Sequence, residues 1–182
     1  MRFFVYHQFS IFVFLQLKSS DVVATYIERC KQVHPHLNAI VDGNFEDALK
    51  EAHIIDDKIQ DELNGGRPFA PKTLADFPFL GVPFTAKNSI MAKGKTFSGG
   101  VYARKDIVGG RDAVAIERMK TIGGAIFLGL TNVPELVMWQ DTFNRVDGRT
   151  NNPYDKARIP GGSSGGEGAI IAACGSVIGV SF

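Results

Sequence analysis

The order of apolar segments in the middle of the chain constrains the fold most. An apolar run at 79–86 reads as a buried strand, 111–122 as an amphipathic helix, and 125–130 as a second buried strand. Strand, helix and strand in this order favour a parallel pair with a right-handed crossover. Because Pro83 lies inside the first run, we expect that strand to be bent or at a sheet edge. The pattern predicts an α/β fold with a mixed or parallel sheet flanked by helices.

Two helices are predicted before this unit. The first is expected to start at a cap provided by Ser20 or Asp21 and to end at Pro35. The second is expected to start at Asn44, to run through Leu63 and to be stopped by Gly65 and Gly66. Asp112 is the expected N-cap of the 111–122 helix. Later in the chain the pattern predicts three short elements: a helix at 134–140, a small-residue helix at 167–174 and a strand at 177–180.

Composition narrows the function classes. Charged residues make up 21% of the 182 residues, and 20 basic against 19 acidic residues give a net charge of +1. Because no run of basic residues is present, the sequence does not predict a nucleic-acid partner. Cys30 and Cys174 match no metal or redox spacing, which predicts two buried thiols in a reducing, intracellular compartment and no metal or cofactor.

The segment 1–17 is rich in phenylalanine and other apolar residues, but His7, Gln8 and Ser10 interrupt it. It is shorter than the roughly 20 apolar residues of a membrane span, and no small-residue cleavage site follows. Three readings stay open: a membrane-anchoring or signal remnant, a packed N-terminal segment, or a mispredicted first exon. Membrane contact is therefore one expectation for this segment.

A glycine-serine loop is the most informative stretch. It consists of Gly161, Gly162, Ser163, Ser164, Gly165 and Gly166. A linker would not need the apolar small-residue helix that follows it. A phosphate loop would end in Gly-Lys-Ser or Gly-Lys-Thr, and a nucleophile elbow would read Gly-x-Ser-x-Gly; neither fits.

Two adjacent hydroxyls in such a loop can relay a proton, provided that a base is near. All four histidines lie in the N-terminal third of the chain, so the candidate base is Lys87, which directly follows the first buried strand. A lysine serves as a base when burial or neighbouring donors lower its pKa. On spacing alone, Lys87 could equally be a surface lysine past a strand end.

Five linked motifs then carry a resemblance. They are Gly81–Lys87, Gly123–Ala125, Thr131-Asn132 with Glu135, Asn152–Asp155 and Gly161–Glu167. From about residue 18 onward, their order and spacing resemble the amidase-signature family. The surrounding residues look most like its fatty-acid amide hydrolase 2-like branch, and less like the amidotransferase subunits.

The resemblance implies a Ser–cis-Ser–Lys mechanism for hydrolysis of small-molecule amides, which in this branch are fatty-acid amides. Lys87 would be the general base, Ser163 the bridging serine after a cis peptide bond, and Ser164 a support of the turn. The nucleophilic serine and the oxyanion hole would come from a second motif, Gly-Ser/Thr-Asp-x-Gly-Gly-Ser, after the strand that ends near Val180.

At that point the sequence departs from the family pattern and reads Ser181-Phe182. We therefore expect 18–182 to be the N-terminal part of an amidase-signature domain, incomplete at its C-terminus. The nucleophile would lie beyond Phe182, so the chain as given is expected to be inactive. The alternative is a non-catalytic binding or regulatory form of the same fold. Oligomeric state is not predicted.

Overall fold

The computed structural model describes residues 17–66 and 76–182. The apolar segment expected at 1–17 therefore lies, except for Leu17, outside the described residues. In the part of the chain that is described, no helix is long and apolar enough to cross a membrane.

A helix, a strand and a second helix open the fold: α1 (Ser19–Leu37), β1 (Ile40–Gly43) and α2 (Phe45–Leu63). The predicted end of α1 is wrong, because Pro35 lies inside its last turn. Asn38 instead closes the helix in a left-handed conformation, with its N–H donating to His34 O. The predicted cap is wrong as well. The Asp56 carboxylate of α2 accepts the N–H groups of Ser19 and Ser20 at 2.6 and 3.0 Å, so the cap is a tertiary contact.

The main sheet has four strands in the order β1-β3-β2-β6. Its other strands are β2 (Pro83–Lys87), β3 (Ile126–Thr131) and β6 (Ile178–Val180). β2 pairs in parallel with β3 and β6, while β1 runs antiparallel to β3, which confirms the predicted mixed sheet. Pro83 does not place β2 at an edge: β2 lies inside the sheet, and the proline is its first residue, where it is tolerated. The register of β2 against β3 shifts between Phe84 and Thr85.

The remaining elements are short. They are α3 (Val114–Thr121), the β4–β5 hairpin (Phe143–Asn144 and Gly148–Arg149), α4 (Gly165–Ala172), and 3-10 turns at Tyr102–Arg104 and Glu135–Val137. The single turn at Glu135–Val137 replaces the predicted helix over 134–140. Asp112 does not cap α3, which begins after Ala113; its carboxylate accepts the N–H of Lys93 at 2.7 Å instead.

The core lies on both faces of the sheet. On one side α1 and α2 pack against β3 through Val23, Ile27, Ala52 and Leu128. On the other side Phe84 and Phe127 meet with ring centroids 5.4 Å apart, near Ile116 of α3. Burial on both faces explains why these parallel strands are apolar without alternation. Polar side chains are instead found at the end of β2, next to Lys87.

Candidate active site

Lys87 is the last residue of β2, and its side chain is fully buried, with 0% exposure. It pairs in register with Thr131 on β3. Since parallel strands present their carboxyl ends at one edge, Lys87 and Thr131 lie together at that edge of the sheet. The surface-lysine reading left open by the sequence is therefore wrong.

The glycine-serine loop brings Ser163 to this lysine. Lys87 Nζ donates a hydrogen bond to Ser163 Oγ at 2.7 Å, across 76 residues of sequence. The peptide bond between Gly162 and Ser163 is cis, as the resemblance implies. α4 begins immediately after Ser164, so the loop and the helix form one continuous support for Ser163.

Gly166 is required where α4 crosses the end of β3. A Cβ on this residue would lie 2.6 Å from the carbonyl oxygen of Asn132 and closer still to the Asn132 nitrogen. Both atoms belong to the backbone and are already bonded: Asn132 N–H donates to Ala39 O, and Asn132 O accepts Gly166 N–H. Only glycine allows this approach of helix and strand.

Thr142 closes the loop from the other side, and sequence reasoning missed it. Its buried hydroxyl donates to Gly161 O at 2.9 Å and accepts the N–H of Gly165 at 3.1 Å. The two bonds tie the entry of the loop to the start of α4. Asp141 Oδ1 accepts the N–H of Thr142, and the other carboxylate oxygen of Asp141 pairs with Arg149 at 2.7 Å. No local pattern marks Thr142, because its partners lie about twenty residues away.

Ser164 lies beside Ser163 and makes no hydrogen bond to Lys87. Its Oγ donates to Phe182 O at 3.4 Å. The same carbonyl oxygen lies 3.1 Å from Lys87 Nζ, and the Phe182 ring centroid lies 4.8 Å from Nζ. The loop therefore presents two hydroxyls at one position, of which Ser163 is the one paired with Lys87.

Glu167 is the second buried ionisable group at the site, with 3% exposure. Its Oε2 accepts the Thr85 hydroxyl at 2.7 Å, and its Oε1 accepts the Thr131 hydroxyl at 3.0 Å. The sequence marked this glutamate as part of a motif and gave it no role.

Burial dominates the electrostatics of the two groups. It lowers the pKa of Lys87 below the usual lysine value, against the opposing effect of the Glu167 charge. Burial also raises the pKa of Glu167 to about 7, although both threonine hydroxyls and Lys87 favour its ionised form. Within the described ranges, no aspartate or glutamate side chain lies within salt-bridge distance of Lys87 Nζ. A buried lysine loses its proton more readily than an exposed one.

In residues 17–66 and 76–182, no group of three or more His, Cys, Asp or Glu side chains is placed to hold a metal ion. Of the cysteines, Cys30 is buried as predicted, with Sγ donating to Gly175 O, whereas Cys174 is exposed, contrary to the prediction.

Comparison with known proteins identifies the family. The family model described as Amidase matches residues 21–181. Fatty-acid amide hydrolase 2 of Homo sapiens is 45% identical over 165 residues, which cover 91% of this chain and 30% of that protein. Fatty-acid amide hydrolase 2-A of Danio rerio is also 45% identical, with the same coverage. The chain thus spans about 30% of the length of these curated relatives.

Solved structures agree on the fold. A structure of fatty acid amide hydrolase matches with a TM-score of 0.82 and 26% identity, over 96% of this chain and 29% of that one. Native peptide amidase from Stenotrophomonas maltophilia gives a TM-score of 0.79 and 28% identity, over 94% and 34%. These matches confirm the resemblance and the fold expected from the motifs. The chain belongs to the amidase family of amidase-signature proteins.

Proposed function

We propose that this chain supplies the general base and the proton relay of an amide hydrolase that works by a Ser–cis-Ser–Lys mechanism. The observation that carries the proposal is the 2.7 Å hydrogen bond between Lys87 Nζ and Ser163 Oγ, made by a lysine that is fully buried. A buried amine in contact with a hydroxyl has both the geometry and the depressed pKa that a base needs.

In the proposed cycle, neutral Lys87 takes the hydroxyl proton of Ser163 while Ser163 takes the proton of the attacking serine. The attacking oxygen then forms a bond to the amide carbon. The protons move back along the same path to the leaving amine, which departs as the carbon–nitrogen bond breaks. Water repeats the sequence to release the acid.

The attacking serine and the oxyanion hole belong, by the resemblance, to the motif Gly-Ser/Thr-Asp-x-Gly-Gly-Ser. These 182 residues do not contain that motif. We therefore assign the nucleophile to the part of the relatives that the chain does not match, and we expect no turnover by the 182 residues alone. Losing a single oxyanion-hole donor costs roughly 10²–10³ in rate, and the nucleophile is missing in addition.

For the substrate we propose a fatty-acid amide. Support comes from the 45% identity to fatty-acid amide hydrolase 2 of Homo sapiens, whose name states that substrate class. A hydrolase of fatty-acid amides should prefer a long acyl chain over a short one, because each buried methylene adds roughly 0.8 kcal/mol of binding.

A chimera tests the proposal. The 165 matched residues of this chain replace the corresponding segment of the human relative, and hydrolysis of oleoyl and acetyl amides is measured. We expect hydrolysis of the oleoyl amide, with loss on Lys87→Ala and on Ser163→Ala. Lys156→Ala, which removes an exposed lysine, is the matched control. A folded but inactive chimera would favour the non-catalytic alternative, and a chimera that stays active in Lys87→Ala would refute the assignment of Lys87 as the base.

A further inference from the structure

We propose that Glu167 is a positioning residue that fixes Lys87 and Ser163 relative to each other. The proposal rests on the proposed function and assigns a role to a buried carboxyl that the proton relay does not use. Three observations carry it: the threonine contacts, a glycine on the neighbouring strand and the position of Glu167 in the chain.

The carboxyl bridges the two strands at the end where Lys87 sits. Thr85 lies two residues before Lys87 on β2, on the same face of the strand, and Thr131 is the residue paired with Lys87 on β3. Each threonine hydroxyl donates to a different oxygen of Glu167, at 2.7 and 3.0 Å. The side chain therefore fastens both strands directly behind the lysine.

The third strand leaves space for the carboxyl. Gly179 of β6 pairs with Thr85, and a Cβ on this glycine would collide with Oε2 of Glu167. Nearby, Ser176 Oγ lies 3.1 Å from Thr85 Oγ1 and donates to Ile178 O. The carboxyl thus occupies an enclosed position between α4 and three strands.

Glu167 also connects the two partners of the relay. It lies four residues after Ser163, in the first turn of α4. Its contacts with β2 therefore fix the helix that follows Ser163 to the strand that carries Lys87. A shift of α4 along the sheet would lengthen the 2.7 Å contact and break the bonds of Glu167 at the same time.

Among the charged side chains of the elements packed around Glu167, Lys87 of β2 is the one whose charge affects the pKa of Glu167. β3 offers the neutral hydroxyl of Thr131, β6 offers Gly179, and α4 holds no other charged residue. The Glu167 charge stabilises the protonated lysine and so opposes the effect of burial. Removing the charge while keeping the shape should make Lys87 a stronger acid.

Glu167→Gln makes this change. Its amide can accept one threonine hydroxyl and donate to the other, and Thr85 can then donate to Ser176 instead. Glu167→Ala removes both the charge and the bridge. The lysine is observed directly by NMR, from the pH titration of its ¹³Cε resonance, assigned with Lys87→Arg.

We expect the Lys87 titration midpoint in the chain to fall by roughly 1 pH unit in Glu167→Gln, a shift typical of one nearby charge. In the active chimera, the rising limb of kcat/KM against pH should move in the same direction. Glu167→Gln should keep near-parental activity on the alkaline plateau, whereas Glu167→Ala should lose at least tenfold at every pH.

An unchanged Lys87 midpoint in Glu167→Gln overturns this inference, and so does full alkaline activity in Glu167→Ala. Failure of the proposed function looks different, because Lys87→Ala would then leave the chimera active. The titration readout does not depend on activity, so it decides the role of Glu167 in either case.

Discussion

Substituting Gly166 by alanine should separate tertiary crowding from helix propensity at the site. Gly166 and Gly168 both lie in α4, two residues apart. Alanine is better than glycine inside a helix by about 1 kcal/mol at either position. The two differ only in what the new methyl group would meet.

At Gly166 the methyl would collide with the backbone N and O of Asn132, whereas at Gly168 the nearest atom is Pro160 O at 3.8 Å. Overpacking costs about 1–3 kcal/mol and sometimes more, and backbone atoms give way less than side chains. With about 3 kcal/mol of crowding less about 1 kcal/mol of propensity, Gly166→Ala should lose about 2 kcal/mol. Gly168→Ala should gain up to about 1 kcal/mol.

Urea unfolding followed by circular dichroism measures both variants. The predicted gap between them is about 3 kcal/mol, or more than a hundredfold in the unfolding equilibrium, with the m-value unchanged. If Gly166→Ala is as stable as the parent chain, the close approach of α4 to Asn132 is wrong. Equal losses in both variants would mean that helix geometry, not crowding, decides the effect.

Three further predictions concern individual groups. Thr142→Val should lower the free energy of unfolding in urea by about 1–3 kcal/mol, because it leaves Gly161 O and Gly165 N–H without a partner. Thr142→Ser keeps the hydroxyl and should lower it less. Iodoacetamide at pH 8 should alkylate the exposed Cys174 well before Cys30, because burial raises the pKa of the Cys30 thiol to about 12. Equal alkylation rates, measured by peptide mass spectrometry, would contradict the burial of Cys30. The pKa of Glu167 in the folded chain, about 7, lies above its unfolded value of 4.5, so the folded state binds the proton more tightly. The free energy of unfolding should therefore fall by up to about 3 kcal/mol, relative to that of Glu167→Gln, as pH rises from 4.5 through 7. A difference between the two that does not change with pH would refute this.

The sequence predicted the sheet class and the pairing of Lys87 with Ser163 because both depend on patterns along the chain. Apolar runs separated by a helix indicate parallel strands, and the linked motifs carry the relay by resemblance. Lys87 alone did not reveal its burial, since spacing cannot distinguish a buried strand end from a surface one. Only the register of β2 against β3 decides that question.

Contacts between distant segments account for what was missed. The start of α1 is capped by Asp56 from α2, so no residue near Ser20 predicts it. Thr142 holds the glycine-serine loop from the position just before the β4–β5 hairpin, about twenty residues earlier in the sequence. Glu167 owes its role to threonines on two strands whose alignment the sequence does not specify.

The most direct test of the central claim is fluorophosphonate labelling of the chimera, followed by peptide mapping. We predict one labelled serine, outside this chain, in the part contributed by the human relative. Labelling should slow at least a hundredfold in Lys87→Ala and in Ser163→Ala, in line with the roughly 10²–10⁴-fold contribution of a positioned acid or base, and stay unchanged in Lys156→Ala. A label on Ser163 itself, or a rate that does not depend on Lys87, would contradict the assignment of Lys87 as base and Ser163 as relay.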